Sequence, residues 1–205
     1  MSDFRIVVLA SGNGTNLQAI LDTLHGEDGI EVVGVGSDKP GARALERAVA
    51  AGVETAVFPR DAYEDRTGRD AAMAGWIESR RPDLVALAGY MQLLSEPFVA
   101  RFRNRIVNVH PALLPSFPGL DAIGQALEAG VETTGVTVHL VDEGVDTGPV
   151  ILQREVPVPV GRDRQELEAA IHDVEHQLYP EAIRMIAEGR VRIDADGPTV
   201  VAIDD

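Results

Sequence analysis

The sequence predicts an α/β fold, an open, mostly parallel sheet with helices on both faces. Three observations predict it. Short apolar runs alternate with stretches of helical period, the signature of successive βαβ units. The run DLVALAG (83–89) is apolar almost throughout, as a central parallel strand covered on both faces has to be. At 205 residues the chain is long enough to bury a core without staples, and it has no cysteine with which to make them.

Each element follows from local pattern. FRIVVLA (4–10) reads as a buried strand. TNLQAILDTLH (15–25) reads as a helix with Leu17, Ile20, Leu21 and Leu24 on one face. IEVVGVG (30–36) is a second strand, ARALERAVAAG (42–52) a helix closed by Gly52, and ETAVF (54–58) a short strand. Residues 61–80 read as helical up to the stop at Pro82. A short helix opens at Pro97 and RIVNVH (105–110) forms the fifth strand. PALLPSFPGL (111–120) carries three prolines and is predicted irregular. GVTVHLV (135–141) and PVILQREVPV (149–158) are strands flanking the loop DEGVDTG (142–148). Residues 163–188 form a long amphipathic helix, and the tail reads as a hairpin turned at Asp196-Gly197.

Composition excludes several function classes. The absence of cysteine removes disulfides, thiolate zinc sites and a cysteine nucleophile. The net charge is −15, which argues against an extended nucleic-acid surface. Lys39 is the single lysine among 18 basic residues; the rest are arginines. Both adaptation to high salt and the arginine bias of a GC-rich genome account for that composition. In either case an anionic ligand has to be held by local donors. No apolar run approaches the roughly 20 residues of a membrane span, and the N-terminus reads as a strand and not a signal peptide, so a cytoplasmic location is expected.

Three segments carry chemistry. SGNGTN (11–16) lies between the first strand and the first helix, where glycines and free helix N–H groups suit a phosphate. It is not the dinucleotide fingerprint, because Leu17 occupies the third glycine position. Asp38, at the end of the second strand, keeps a nicotinamide-binding reading open, and a plain tight turn with a helix cap is the bland alternative. Asn108-Val109-His110 ends the fifth strand, and alternation puts Asn108 and His110 on one face. An amide donor suits a developing oxyanion, and imidazole donates or shuttles protons near neutrality. DEGVDTG supplies three carboxylates, one of which, set beside His110, favours the charged imidazole and fixes its tautomer. A solvated acidic turn is its alternative, and the spacing is not that of an EF-hand. Thr137 and His139 share one face of the preceding strand. His172 and Glu175, at i and i+3 on the last helix, would suit a metal only with a third ligand, and none is evident.

Taken together, NVHPALLPSFPGL, GVTVHLVDEGVDTGPVILQ, SGNGTNLQAI and AGYMQLLS (88–95) resemble the phosphoribosylglycinamide formyltransferases over essentially the whole chain. The resemblance implies the Rossmann-like formyltransferase fold as a single domain over 1–205. Residues 1–100 would be its nucleotide- and phosphate-binding half and 101–205 its catalytic and folate-binding half. It implies transfer of the formyl group of 10-formyltetrahydrofolate to the amine of glycinamide ribonucleotide, in purine synthesis. Asn108, His110 and Asp146 match the catalytic residues, and Gly14, Thr15 and Asn16 the phosphate loop. Arg66, Met91, Gln92, Leu93 and Leu94, with Asn108, Asp142, Glu143, Gly144, Val145 and Asp146, match the folate pocket. His172 and Glu175 match nucleotide contacts, while Thr137 and His139 stand behind the catalytic residues. The implied chemistry needs no metal, nucleic acid or membrane, and the implied assembly is a monomer or homodimer. Three positions depart from the family pattern: Gln92 stands where a basic residue is common, and Asp121 and Gly124 replace an expected His and Arg.

Two enzymes with the same catalytic pattern are weighed against it. A methionyl-tRNA formyltransferase is expected to add a C-terminal nucleic-acid domain and a basic surface. A formyltetrahydrofolate hydrolase is expected to add an N-terminal regulatory domain. A non-catalytic nucleotide-binding module would need the glycine loop but not Asn108, His110 and Asp146 together.

Overall fold

A computed structural model describes residues 3–193 and 200–202. Nine strands and six helices are described: β1 (Phe4–Leu9), α1 (Thr15–Thr23), β2 (Ile30–Ser37), α2 (Arg43–Ala50), β3 (Thr55–Val57), α3 (Arg66–Ser79), β4 (Leu84–Leu87), α4 (Glu96–Arg101), β5 (Ile106–His110), α5 (Ala122–Ala129), β6 (Thr133–Leu140), β7 (Val150–Pro157), α6 (Arg164–Ala187), β8 (Val191–Ile193) and β9 (Val200–Ala202). Seven strands form a mostly parallel sheet in the order β3-β2-β1-β4-β5-β6-β7, and β8 pairs with β9. The chain divides into two compact units, Met1–Val107 and Asn108–Asp205.

In the first unit β1 pairs in parallel with both β2 and β4, and β2 with β3. Ile6, Val7, Val8 and Leu9 are wholly buried, which is why β1 reads as a continuous apolar run and not as an alternation. α1 buries Leu17, Ile20 and Leu21, and α2 buries Ala44, Leu45 and Ala48. β2 carries Gly34 and Gly36 for a packing reason. A Cβ on Gly34 would lie 2.9 Å from the ring of Trp76, which lies on α3 and is itself stacked beneath the Arg80 guanidinium at 3.9 Å.

The helix expected over 61–80 is two pieces. A 3-10 turn covers Arg60–Ala62, and α3 begins only at Arg66, where the Asp65 carboxylate accepts from the Gly68 N–H at 2.7 Å. The N-cap fixes the start because it satisfies a first-turn N–H that has no intrahelical acceptor.

In the second unit β7 runs antiparallel to β6. α6 packs on both strands, burying Leu167, Ile171, Leu178, Tyr179, Ala182 and Ile183. The helix α5 was not expected from sequence, although its stop signal was present, Gly130 at φ 71°. The terminal strands pair antiparallel as expected, while the turn expected at Asp196-Gly197 lies outside the described residues.

Candidate active site

The glycine loop of the first unit is built from backbone. Gly14 is the N-cap of α1 at φ 74°, a left-handed conformation that costs glycine little and other residues more. It also packs against α2: a Cβ on Gly14 would stand 2.7 Å from both Cα and Cβ of Ala44. Thr15 and Asn16 occupy the first turn of α1, and Asn16 is buried. The backbone N–H groups of Asn13, Gly14 and Thr15 donate to no acceptor among the described residues. Ser11, Gly12 and Asn13 line an open cavity of about 580 Å³ with Lys39, Gly41, Ala42 and Arg43.

The same unit settles the position of Asp38. It is buried, and its Oδ2 accepts from Gln92 Nε2 at 2.9 Å. Gln92 Oε1 in turn accepts from Arg69 at 3.3 Å, and Arg69 forks onto Asp70 at 2.8 and 3.0 Å. Gln92, the departure from the family's basic residue, is therefore tied to internal groups. Met91 and Leu93 beside it are exposed, and the Met91 N–H is held by Ser11 Oγ at 2.8 Å. Leu94 is half-buried, and Arg66 is exposed at the first position of α3.

The chemistry-bearing side chains gather in the second unit. Asn108 and His110 share a face of β5, as alternation requires. His139 Nδ1 lies 2.8 Å from the Leu140 carbonyl, which only accepts, so Nδ1 carries a proton. In the neutral ring Nε2 is then an acceptor, and it faces Asn108 Nδ2 at 3.2 Å. One amide N–H of Asn108 is thereby fixed on His139, and its second N–H is left for a ligand.

His110 is placed differently. Its Nε2 lies 2.8 Å from the Phe117 carbonyl and its Nδ1 lies 3.4 Å from Asp146 Oδ2. Both neighbours are acceptors, so the doubly protonated ring satisfies both. Asp146 also accepts the Gly119 N–H at 2.8 Å and lies 3.5 Å from His139 Nε2. Burial pushes its carboxyl pKa up, but a hydrogen bond from His139 in its charged form, in which Nε2 donates to Asp146 instead of accepting from Asn108, together with the Gly119 N–H and the charges of His110 and His139, outweighs it and holds the value below the usual carboxylate range.

Asp146 reaches this position through the loop it sits on. The backbone at Asp146 has φ 54°. Asp142 Oδ1 closes the loop by accepting from the Gly144 N–H at 3.0 Å and from Thr147 Oγ1 at 2.7 Å. Any Cβ on Gly148 would collide with the Leu140 carbonyl. Val145 is half exposed, and Glu143 is exposed.

Thr137 supports the loop that follows β5. Its Oγ1 donates to the Ala112 carbonyl at 2.6 Å and accepts from the Leu114 N–H at 3.1 Å. Gln153, which the sequence reading passed over, donates to both Thr137 Oγ1 and the Leu114 carbonyl. No local pattern marks it, because only the pairing of β7 with β6 sets Gln153 opposite Thr137. Asp121 and Gly124 form one feature. The Asp121 carboxylate turns over the start of α5 towards the Gly124 N–H, and a side chain at 124 would meet it. Arg164 pairs with the same carboxylate at 2.5 Å and lowers its pKa.

His172 and Glu175 sit on α6, with Glu175 buried. His172 stacks on His176 with ring centroids 6.2 Å apart. Burial first, and then the charge of His172, push the His176 pKa down.

The model of the family described as formyl transferase matches residues 4–183. The trifunctional purine biosynthetic protein adenosine-3 of Drosophila melanogaster is 45% identical over 195 residues, 94% of this chain but 14% of that protein, so the chain spans only a small part of such relatives. The phosphoribosylglycinamide formyltransferase of Escherichia coli (strain K12) is 43% identical over 189 residues, covering 92% of this chain and 89% of that one. The crystal structure of glycinamide ribonucleotide transformylase 1 from Symbiobacterium toebii superposes with a TM-score of 0.94 at 50% identity, covering 98% of this chain and 95% of that one. Sequence and fold agree over nearly the whole length, and the chain belongs to the phosphoribosylglycinamide formyltransferase family of formyl transferases.

Proposed function

We propose that this chain transfers the formyl group of 10-formyltetrahydrofolate to the amine of glycinamide ribonucleotide, yielding the N-formyl product and tetrahydrofolate in purine synthesis. The observation that carries this reading is the pair of donors around Asp146. Asn108 has one free amide N–H beside His139, and His110 lies between a carboxylate and a carbonyl.

The residues divide the work. The acceptor amine attacks the formyl carbon, a C–N bond forms, and the carbonyl electrons move to oxygen. Asn108 Nδ2–H and His110 Nε2–H stabilise that oxyanion, so the proton that His110 gives to Phe117 is re-aimed in the transfer step. Asp146 balances the charge on the imidazolium. Collapse breaks the bond from carbon to the folate nitrogen, the amine loses its proton through His110 or water, and the leaving nitrogen takes one up. Gly14, Thr15 and Asn16 hold the phosphate of the acceptor, and His172 and Glu175 contact its nucleotide portion.

Exposed apolar side chains fit an aromatic folate in each unit separately, Met91 and Leu93 in the first and Val145 in the second. Arg66, with no side-chain partner among the described residues, offers a cation for the folate carboxylates. Residues 1–100 serve as the phosphate-binding half and 101–205 as the catalytic half. The enzyme acts in the cytoplasm on small molecules, as a monomer or homodimer, without nucleic acid, membrane or metal. No helix among the described residues is long and apolar enough to cross a membrane.

The test is direct. The protein is mixed with glycinamide ribonucleotide and 10-formyltetrahydrofolate, and loss of the formyl donor is followed with methionyl-tRNA offered in parallel at equal concentration. Formylation of the ribonucleotide alone is expected. A comparable rate on methionyl-tRNA, or no transfer to the ribonucleotide, overturns the reading.

A further inference from the structure

We infer that Arg47, on α2, is a positioning residue that sets which way the peptides of the phosphate loop face, and so makes the loop an anion site. This rests on the reading of Gly14–Asn16 as the place where the acceptor's phosphate binds.

Arg47 reaches back onto the loop with its whole guanidinium. Nε donates to the Asn13 carbonyl at 2.8 Å, Nη2 points to Asn13 Oδ1 at 3.4 Å, and Nη1 donates to Gln18 Oε1 at 2.9 Å. One planar fork thus spans the loop and the first turn and a half of α1, a geometry that a lysine ammonium does not reproduce. Ala44, one turn earlier on α2, adds a backbone tie by donating its N–H to the Gly12 carbonyl at 3.1 Å.

The consequence follows from peptide geometry. In a trans peptide the C=O and the following N–H point in opposite directions. The Gly12 carbonyl faces α2, so the Asn13 N–H faces away from it. The Asn13 carbonyl faces Arg47, so the Gly14 N–H faces away as well. These are two of the N–H groups without an acceptor among the described residues, and the Thr15 N–H at the start of α1 is the third. Successive N–H groups turned to one side form a concavity for an anion. The Gly14 carbonyl is kept out of it, because it accepts from the Gln18 N–H at 2.9 Å.

Charge gives the device its importance. The chain carries −15 overall, so a phosphate finds no broadly positive field. Lys39 and Arg43 line the cavity beside the loop, and the loop adds to them only if its N–H donors already face the right way. If the Asn13–Gly14 peptide flips, a carbonyl replaces an N–H in the site, and attraction becomes repulsion.

The experiment compares Arg47→Met and Arg47→Lys with the wild type. For Arg47→Met the KM for the phosphorylated acceptor should rise about 10- to 100-fold, the effect of losing charge-assisted hydrogen bonds to one anion. The KM for the formyl donor should stay within about twofold, and kcat at saturation within about threefold, a split that a merely structural lesion would not produce. The dephosphorylated acceptor should react as poorly with the variant as with the wild type, so the preference for phosphate collapses. Arg47→Lys should fall between the two. Calorimetric titration with inorganic phosphate gives a readout independent of catalysis, and Arg47→Met should lose that binding while its unfolding temperature shows that it is folded. An unchanged acceptor KM in folded Arg47→Met, or an equal loss for phosphorylated and dephosphorylated acceptors, overturns the inference. Phosphate binding that depends on Arg47 in a protein without transferase activity supports the inference and overturns the functional reading alone.

Discussion

In the proposed reaction the glycine loop of the first unit and the histidine–carboxylate cluster of the second both handle negative charge, and they do it by opposite means. The loop uses backbone N–H groups, oriented by a left-handed Gly14 and by contacts from α2. The cluster uses side chains: Asn108 and His110 from one strand, His139 from the next and Asp146 from a closed turn. A backbone site recognises a charge that is always there, and rigid N–H groups suit it. A side-chain site serves a charge that appears only during reaction, and it needs groups that exchange protons and partners. The difference predicts how each site breaks: the cluster through chemistry at fixed fold, the loop through geometry.

The largest effect is expected from the cluster. Asn108→Ala and His110→Ala should each lower kcat by about 10²–10³-fold with much smaller changes in KM. Because both serve one oxyanion in the proposed mechanism, the double variant should lose far less than the product of the single losses, as steady-state kinetics would show. Full multiplicativity would mean that the two side chains act at separate places.

Next comes the loop. Gly14→Ala forces a Cβ into a left-handed conformation and to 2.7 Å from Ala44. The strain is worth about 1–3 kcal/mol. Part of it should be relieved by shifting the loop from α2, so acceptor KM rises about 10-fold while donor KM does not move. Equal loss of both substrates would show that the loop is scaffold and not an anion site.

A smaller effect separates the two sites by pH. The Asp146 pKa is lowered from its ordinary 3.8 in the folded state, so its ion pairing stabilises the fold fully above that value. The contribution is lost as pH falls through the lower folded value. Acid unfolding of Asp146→Asn should therefore be shallower than that of the wild type below about pH 4, while Gly14→Ala keeps the wild-type slope. Identical slopes in wild type and Asp146→Asn would remove the charge role of Asp146.

The smallest effect belongs to the exposed pair Asp121–Arg164, which joins the start of α5 to the start of α6. Water screens both groups, so Arg164→Ala should change the unfolding temperature little, and not at all in about 1 M salt. A salt-insensitive loss would make the pair part of the loop that carries Phe117 and Gly119.

What was legible follows the same division. Asn108 and His110 stood out because the two-residue period of a strand guarantees a shared face, and Asp146 lay in a loop dense in carboxylates. The glycine loop showed as SGNGTN, but nothing in that string reveals which way its peptides turn. Arg47 looked like any charge on an amphipathic helix, and its partners lie 34 and 29 positions away. Gln153 was hidden for the same reason, and α5 because its N-cap, Asp121, sits in a left-handed backbone that the Pro-rich segment before it obscures.

By itself the sequence determined the alternation of strands and helices, the glycine-rich turn before the first helix, and the residue types able to stabilise an oxyanion. Those are local properties, set by side-chain period, backbone sterics and the donor inventory of each residue. Tertiary structure alone decided that His139 holds the Asn108 amide, that the Phe117 carbonyl and Asp146 bracket His110, and that Gln92 is bound to Asp38 and Arg69. A hydrogen bond is decided within a few tenths of an ångström. Only the packing of distant segments places two side chains that closely, and no spacing along the chain records it.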